Sequence, residues 1–266
     1  MKTGISSLGC PEWSLEKIAE TVARLSFDGV ELRGVRGEHV HTGLSRDERS
    51  GVARIFRQQG VKIFSITAYT KFDSLEQEEF TKTESELISY VHLAKDLGAS
   101  YVRTFIGGLP KGIESGTHDE RVAASLVNIA RAVEGTGISI LVETHDRISS
   151  VAAALRIVNL AAHPQVGILW DIAHSLRAGD SLVENASLLG GKLGYVHLKD
   201  ELPSADNQEH PVLPGQGIIP IKDILAALET VSFNGYLCLE WERKWHPEME
   251  PLDVAMFAYK KWLHLE

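Results

Sequence analysis

Cysteine is scarce in this sequence. Cys10 and Cys238 are its only two cysteines, and they lie far apart in unlike contexts, so there is no disulfide framework and no CxxC motif. The N-terminal stretch MKTGISSLGC lacks the apolar region of a signal peptide. We therefore expect a protein of the reduced cytoplasm.

Long apolar runs and basic clusters are also missing. No apolar stretch reaches about 18 residues, the length that a membrane-spanning helix needs. The 36 acidic residues outnumber the 27 basic ones, and the net charge is -9. Because nucleic acids and anionic membranes attract basic surfaces, we expect neither as a partner. A small molecule is the expected partner, and a homo-oligomer stays open.

A regular alternation of short β-rich runs and longer helical segments is present instead. The runs predict eight strands: TGISSL, GVELRGV, VKIFSITAY, YVRTFI, ISILVET, VGILWDI, LGYVHLK and GYLCLEW. Several are apolar on both parities, which is typical of parallel strands covered on both faces. Eight βα units in 266 residues predict one α/β domain, a (β/α)8 TIM barrel over residues 1–266. A doubly wound sheet is the alternative, but its usual Gly-rich loop after the first strand is absent.

Local signals refine this pattern. The S/T-x-x-E spacing predicts capping boxes at the starts of three helices, at Ser45–Glu48, Thr117–Glu120 and Ser181–Glu184. The tract 200–220 has no helical spacing, and we interpret it as an extended loop after the seventh strand, on the face where barrel loops build sites.

Each of the last four predicted strands ends in an ionisable residue: Glu143, Asp171, His197 and Glu240. Barrel curvature turns the inward-facing side chains of neighbouring strands towards one axis, so these four can converge. Three carboxylates in a partly desolvated pocket repel one another unless a cation offsets their charge. The mixed oxygen and nitrogen donors favour one divalent ion, Mn²⁺ or Mg²⁺ first, with Co²⁺ and Zn²⁺ as alternatives.

The motifs LVETHD, LWDIAHS, YVHLKD, PGQGIIPIKDILAALE and GYLCLEWE resemble the sugar phosphate isomerase/epimerase superfamily, also called xylose isomerase-like or endonuclease IV-like barrels. The resemblance implies that Glu143, Asp171, His197 and Glu240 bind a divalent metal. It also implies that Glu143 and Glu240 transfer protons and that His174 contacts a substrate oxygen. Two features of ketohexose epimerases are absent, since Pro203 and Ser149 stand where those enzymes have Arg and Glu.

Three further residues are candidates for substrate binding. Arg103 ends the fourth predicted strand and could hold a hydroxyl-rich or anionic substrate, or pair with a carboxylate. Lys199 could donate to a substrate oxygen or act as an acid in elimination. His145 could touch the substrate or orient Glu143.

Three functions remain open at this point. The first is a metal-dependent sugar isomerase or epimerase that abstracts a proton next to a carbonyl through a metal-stabilised enediolate, with two Glu residues as acid and base. The second is a lyase or dehydratase on the same scaffold, acting on a keto-inositol, keto-glycoside or dehydroshikimate type of substrate. The third is a non-catalytic sugar-binding or accessory barrel.

Overall fold

Eight parallel strands close into a barrel in the computed structural model, which describes residues 1–203 and 209–264. The barrel strands are β1 (Lys2–Ser6), β2 (Gly29–Gly34), β3 (Lys62–Ala68), β4 (Tyr101–Thr104), β5 (Ser139–Glu143), β6 (Val166–Asp171), β7 (Leu193–Leu198) and β10 (Tyr236–Leu239). Neighbouring strands run in the order β1-β10-β7-β6-β5-β4-β3-β2, and β2 pairs with β1 to close the ring. All eight predicted strands are therefore confirmed, and so is the (β/α)8 barrel.

Helices follow the strands and cover the outside of the barrel. They are α1 (Leu15–Arg24), α2 (Arg46–Gln58), α3 (Gln77–Leu97), α4 (Ser115–Ala132), α5 (Val151–Ala161), α6 (Ile172–Arg177), α7 (Leu182–Leu189), α8 (Ile221–Thr230) and α9 (Leu252–Trp262). In α1 the buried Ile18, Ala19 and Val22 form the apolar stripe that faces the sheet. Within the described residues, none of the helices combines the length and apolar character needed to cross a bilayer.

The three predicted capping boxes have different outcomes. The box at Ser45–Glu48 forms with both of its hydrogen bonds. The box at Thr117–Glu120 is wrong, because α4 begins two residues earlier at Ser115. Thr117 and Glu120 therefore lie inside the helix, and Asp119 between them is buried and pairs with two arginines of the following βα unit. Ser181 does precede α7, but its side chain makes no cap hydrogen bond.

The described parts of the tract 200–220 contain more regular structure than the predicted loop. Its ends pair as a short antiparallel ribbon of β8 (Asp200–Glu201) and β9 (Pro211–Val212), while residues 204–208 lie outside the described part. The following PGQG turn wraps around the Asp200 carboxylate, which accepts backbone hydrogen bonds from Gly215 and Gly217, each 2.8 Å long. The loop is therefore held against the carboxyl end of β7, where the chemically interesting residues lie.

The barrel interior has two layers of different character. Towards the amino ends of the strands, a separate apolar cluster fills the barrel, and it contains Phe64, Leu141, Leu169, Tyr195, Tyr236 and Cys238. The Phe64 and Tyr236 rings stack with centroids 4.0 Å apart. Towards the carboxyl ends, the buried side chains are mostly charged. The lower layer closes the barrel, and the upper layer carries the candidate site.

We predict that Gly217→Ala destabilises the protein. A Cβ at this position would lie 2.3 Å from both Asp200 Oδ1 and the Glu201 carbonyl oxygen, so the turn must move. Such overpacking costs about 1–3 kcal/mol of unfolding free energy, measurable by urea denaturation. Gly51→Ala is the matched control, because an added Cβ meets nothing inside α2, and it should stabilise by about 0.4–1 kcal/mol. Equal effects of the two substitutions would contradict this account of the turn.

Candidate metal centre

Four side chains from four adjacent strands meet at the carboxyl end of the barrel. Glu143 ends β5, Asp171 ends β6, His197 lies near the end of β7, and Glu240 directly follows β10. Each offers one ligand atom, and these atoms all lie within 4.8 Å of one another. Asp171 and His197 are also direct partners in the β6–β7 register, so both side chains project to the same face. The structure therefore brings together the four residues that the sequence predicts to converge.

The backbone at the tips of β5 and β6 holds Asp171 in place. The Asp171 N–H donates to Thr144 Oγ1 over 2.8 Å, and Thr144 Oγ1 lies 3.1 Å from the Asp171 carbonyl oxygen, to which it donates. Asp171 also caps α6, because its Oδ1 accepts the His174 backbone N–H over 3.1 Å. One carboxylate oxygen is thus engaged by the helix, and Oδ2 is left for the cluster.

His197 stands between two sets of carboxylates. Its Nδ1 lies 3.3 Å from Glu143 Oε1 and 3.2 Å from Glu240 Oε1, while its Nε2 lies 2.9 Å from Glu31 Oε2. Burial by itself would lower the pKa of this imidazole, but Glu240 and Glu31 outweigh burial and raise the pKa well above its usual value. Without a metal, His197 is therefore an imidazolium.

Each of the two glutamates has one oxygen towards His197 and the other beside a buried cation. Glu143 Oε2 lies 3.1 Å from Arg103 Nε, and Glu240 Oε2 accepts a 2.9 Å hydrogen bond from Lys199. Burial by itself would raise the pKa of both carboxyls. Arg103 and His197 nevertheless lower the pKa of Glu143, and His197 and Lys199 lower the pKa of Glu240. Both glutamates are therefore ionised.

Lys199 is the central cation of the site. Its Nζ lies 3.2 Å from Asp171 Oδ2 and donates over 2.7 Å to Glu242, in addition to the bond to Glu240. Burial would lower the pKa of this lysine, but Asp171, Glu240 and Glu242 raise it well above its usual value, so the ammonium stays charged. Burial raises the pKa of Asp171 to about 7, although Lys199 opposes that shift. Asp171 is thus the carboxylate of the cluster that most readily takes a proton.

The residues predicted to bind substrate lie around these ligands. His174 lines a cavity of about 290 Å³ together with Ser149, Arg177, Ala178 and Glu209. Burial and Lys199 lower the pKa of His174 well below its usual value, so its ring is neutral. The His145 ring packs 4.2 Å from the His174 ring, between centroids.

The other predicted substrate ligands are occupied by partners within the protein. His145 Nδ1 lies 3.0 Å from Asp146, so its polar partner is that residue rather than Glu143. Arg103 and Lys199 both contact predicted metal ligands. A substrate role for these residues therefore remains a prediction.

Several residues of the site were not singled out from the sequence. Glu31 is the clearest, since it is an acidic residue in the middle of the apolar strand GVELRGV, and that interruption is a signal that it points inward to a polar partner. Glu242 follows Glu240 by two residues, the spacing that returns to the same face of an extended chain. Glu209 lies far along the loop from His174, and no local pattern predicts that its Oε1 is 3.4 Å from His174 Nε2.

A divalent cation fits this constellation. Glu143 Oε2, Asp171 Oδ2 and His197 Nδ1 are buried and make no hydrogen bond within the described residues, although each lies within 3.3 Å of an oppositely charged group. Buried polar atoms of this kind are costly unless something coordinates them. Three carboxylates with one imidazole form the donor set of Mn²⁺, Mg²⁺ or a similar ion. A larger cavity of about 670 Å³ opens at the opposite end of the barrel, but no carboxylate lines it.

The protein is thus a (β/α)8 barrel with a cluster of ionisable side chains at the carboxyl ends of its strands. Barrels of this class usually carry their active site at that end. The family model of the xylose isomerase-like TIM barrel matches residues 19–260 of the chain. The chain belongs to this family, and the resemblance seen in the sequence is confirmed.

Curated relatives cover most of the chain at low identity. An inosose isomerase of Bacillus velezensis is 23% identical over 85% of this chain and 83% of its own. A fructoselysine 3-epimerase of Shigella flexneri is 21% identical over 90% of each chain. An inosose dehydratase of Lacticaseibacillus casei is 21% identical over 99% of this chain and 96% of its own. The relatives are thus named as isomerases, epimerases and dehydratases.

Solved structures show the same fold. The IOLI protein, crystallised with a zinc atom, has a TM-score of 0.83 and 21% identity, and the match covers 98% of this chain and 96% of that one. A probable 3-DHS dehydratase, AsbF of Bacillus anthracis, has a TM-score of 0.76 and 18% identity, with 97% of this chain and 98% of that one covered. At such identities these likenesses establish the fold alone.

We predict that divalent metal binding weakens as the pH falls from 8 to 6. The pKa of Asp171 is raised to about 7 and that of His197 is raised well above its usual value, so both hold protons that a metal must displace. Titration calorimetry of Mn²⁺ in buffers of different ionisation enthalpy should show proton release, with more protons released at pH 6 than at pH 8. An affinity independent of pH over this range would contradict the assignment of these ligands.

Proposed function

We propose that this protein is a divalent-metal-dependent isomerase or epimerase that acts on a sugar or sugar-derived substrate by proton transfer next to a carbonyl. The observation that carries this proposal is the pairing of Glu143 and Glu240. Both are ionised, both present one oxygen to the same point near His197 Nδ1, and each has its second oxygen beside a buried cation. Two carboxylates arranged in this way can accept and return a proton around one substrate.

Glu143, Asp171, His197 and Glu240 would hold the metal, with Mn²⁺ or Mg²⁺ expected first and Co²⁺ or Zn²⁺ as alternatives. When bound, the ion supplies positive charge that stabilises negative charge on the carbonyl oxygen as the neighbouring carbon loses its proton. The donor set, and the convergence of its four ligand atoms within 4.8 Å of one another, support this assignment.

The protein's own residues would divide the proton transfer between them. One glutamate removes the proton from the carbon, giving an enediolate. That glutamate is then a carboxylic acid, and returning its proton to the neighbouring carbon gives isomerisation. Epimerisation follows when the other glutamate first takes up a proton from solvent and delivers it to the opposite face of the same carbon, while the first glutamate releases its proton to solvent. Arg103 and Lys199 keep the two carboxylates ionised before substrate binds. The neutral His174 contacts a substrate oxygen from the cavity that it lines, and His145 packs beside it.

A metal-dependent dehydratase is the second candidate, and Lys199 is the observation that favours it. Its ammonium group touches Asp171, Glu240 and Glu242, so a proton source lies next to the proposed bases. In a dehydratase, Lys199 would protonate a leaving hydroxyl on the carbon next to the enediolate. Relatives named as inosose dehydratase give the same alternative. A non-catalytic sugar-binding barrel would have no use for two ionised glutamates at one ligand site.

We expect Glu143→Gln and Glu240→Gln to lower turnover by about 10²–10⁴-fold, the range for loss of a general acid or base. The parent protein with Mn²⁺ should first be assayed in D₂O on inososes, ketohexoses, hydroxypyruvate and dehydroshikimate. Mass spectrometry of recovered sugar should show one solvent deuterium per exchanged carbon, and neither variant should show it. Metal content must be measured in parallel, because both residues are also proposed ligands.

Glu78→Gln, on the exposed face of α3, is the matched control and should leave deuterium incorporation unchanged. If the parent incorporates no deuterium and forms no new enone absorbance with any of these substrates, a binding function is favoured instead. Deuterium incorporation at the parent rate in both glutamate variants would refute their roles.

The double variant Lys199→Gln/Glu242→Gln should separate the two enzyme candidates. Replacing both partners avoids leaving Glu242 without its cation, and the metal, when bound, would offset the charge of Asp171 and Glu240, which also lose Lys199. If the protein is an epimerase or isomerase, the variant should still incorporate solvent deuterium into the sugar. In a dehydratase, it should exchange deuterium but lose formation of the enone, which ultraviolet absorbance follows. A parent that never forms an enone would exclude the dehydratase outright.

A further inference from the structure

A chain of hydrogen bonds crosses the barrel interior directly below the candidate metal centre. Ser65 on β3 is 3.0 Å from the Tyr195 hydroxyl, Tyr195 on β7 donates to Glu31 Oε2, and the same Glu31 oxygen lies 2.9 Å from His197 Nε2. All four side chains are buried. The chain thus connects three barrel strands, β2, β3 and β7, and ends at the imidazole of His197.

Glu31 contacts a different nitrogen of His197 from the one that faces the cluster. Nδ1 lies near Glu143 and Glu240 and has no hydrogen-bond partner within the described residues, whereas Nε2 lies against Glu31. A histidine can ligate a metal through one nitrogen only if that nitrogen is free of its proton. The hydrogen bond made by the other nitrogen decides which tautomer is present.

We propose that Glu31, supported by Tyr195, is the positioning residue of the metal centre: it accepts the Nε2–H of His197 and so keeps Nδ1 as the metal-binding nitrogen. The inference rests on the proposed metal centre. Glu31 is on β2, across the barrel from β6, and it lies one layer below the cluster. From this position it sets the ring orientation and the tautomer of His197.

The geometry also argues against a second metal site at Glu31. Cys238 lies near Glu31 and His197 and completes a group that could in principle hold an ion. Glu31 already accepts from both Tyr195 and His197, which matches the role of an acceptor and leaves His197 Nε2 occupied.

The test compares the parent protein with Glu31→Gln, Glu31→Asp, Tyr195→Phe and Ser65→Ala. Co²⁺ affinity is measured by visible absorption with a competing chelator, and thermal unfolding of the metal-free protein reports folding. Glu31→Gln should weaken Co²⁺ binding about 10–100-fold, the usual effect of losing such a supporting partner. Tyr195→Phe should give a smaller loss, and Ser65→Ala, which removes only the far end of the chain, should bind as the parent does.

Glu31→Asp separates positioning from plain charge. It keeps the negative charge but shortens the side chain, so the carboxylate no longer reaches Nε2. A loss of Co²⁺ affinity in Glu31→Asp similar to that in Glu31→Gln supports positioning. Parent-like affinity in Glu31→Asp would overturn the inference, because the charge alone would then suffice.

Nitrogen-15 NMR of the Zn²⁺-bound protein gives a readout that packing alone would not change. The parent should show one slowly exchanging imidazole N–H signal from His197, assigned by its absence in His197→Gln. In folded Glu31→Gln this signal should weaken or disappear. If Glu31→Gln does not fold, the same change of the His197 signal is measured in Tyr195→Phe instead.

The two proposals fail in different ways. A parent protein that binds neither Co²⁺ nor Zn²⁺ would overturn the metal centre and the positioning role together. A parent that binds metal, with an unchanged affinity and an unchanged His197 signal in the variants, would overturn only the role of Glu31.

Discussion

The constraint on which this structure depends is the burial of like charge. Five buried carboxylates lie together at the carboxyl end of the barrel: Glu31, Glu143, Asp171, Glu240 and Glu242. Against them stand three buried cations, Arg103, Lys199 and the protonated His197. Carboxylates in a low-dielectric interior are tolerated only when they are paired and hydrogen-bonded. With every one of these groups ionised, the five negative charges would exceed the three positive ones. Burial, and then the neighbouring Glu240 and Glu143, raise the pKa of Asp171, so it is the carboxyl that most readily takes a proton. The proposed metal would act on the same imbalance.

The barrel meets this constraint by separating its interior into layers. The aromatic cluster around Phe64 and Tyr236 fills the space near the amino ends of the strands, and the Tyr195 hydroxyl in it bonds to Ser65 and Glu31. The charged groups lie at the opposite ends, where backbone donors and loop residues are available to them. The Asp171 carboxylate takes a backbone N–H from α6, and the Asp200 carboxylate takes three from its surrounding turn. The packing that stabilises the fold therefore lies near the amino ends of the strands, and the candidate site lies near their carboxyl ends.

The sequence predicts the fold and the four converging residues because both rest on local features. Glycine-bounded apolar runs define the strands, and a carboxylate or imidazole at the end of such a run has no packing explanation. The features that escaped prediction depend on contacts between distant segments. The burial of Asp119 in α4, where it pairs with Arg147 and Arg156, is one such contact, and no pattern within residues 114–120 reveals it. The approach of Glu209 to His174, 35 residues earlier in the chain, is of the same kind. The sequence also does not predict which substrate is used, because one site geometry can serve epimerisation, isomerisation and dehydration.

His197 lies at the boundary between the two layers, and this position explains why one residue connects packing with chemistry. Its ring meets the Tyr195 ring edge to face with centroids 5.5 Å apart, as a core aromatic would. Its two nitrogens point to opposite layers, Nε2 to Glu31 below and Nδ1 to the glutamates above. A ligand on the surface could turn in several directions, whereas this ring can turn only if Tyr195 and Glu31 move with it. The lower layer therefore fixes the orientation of His197 for the upper layer. A buried imidazole between two fixed groups of carboxylates has a single orientation in which both of its nitrogens have partners.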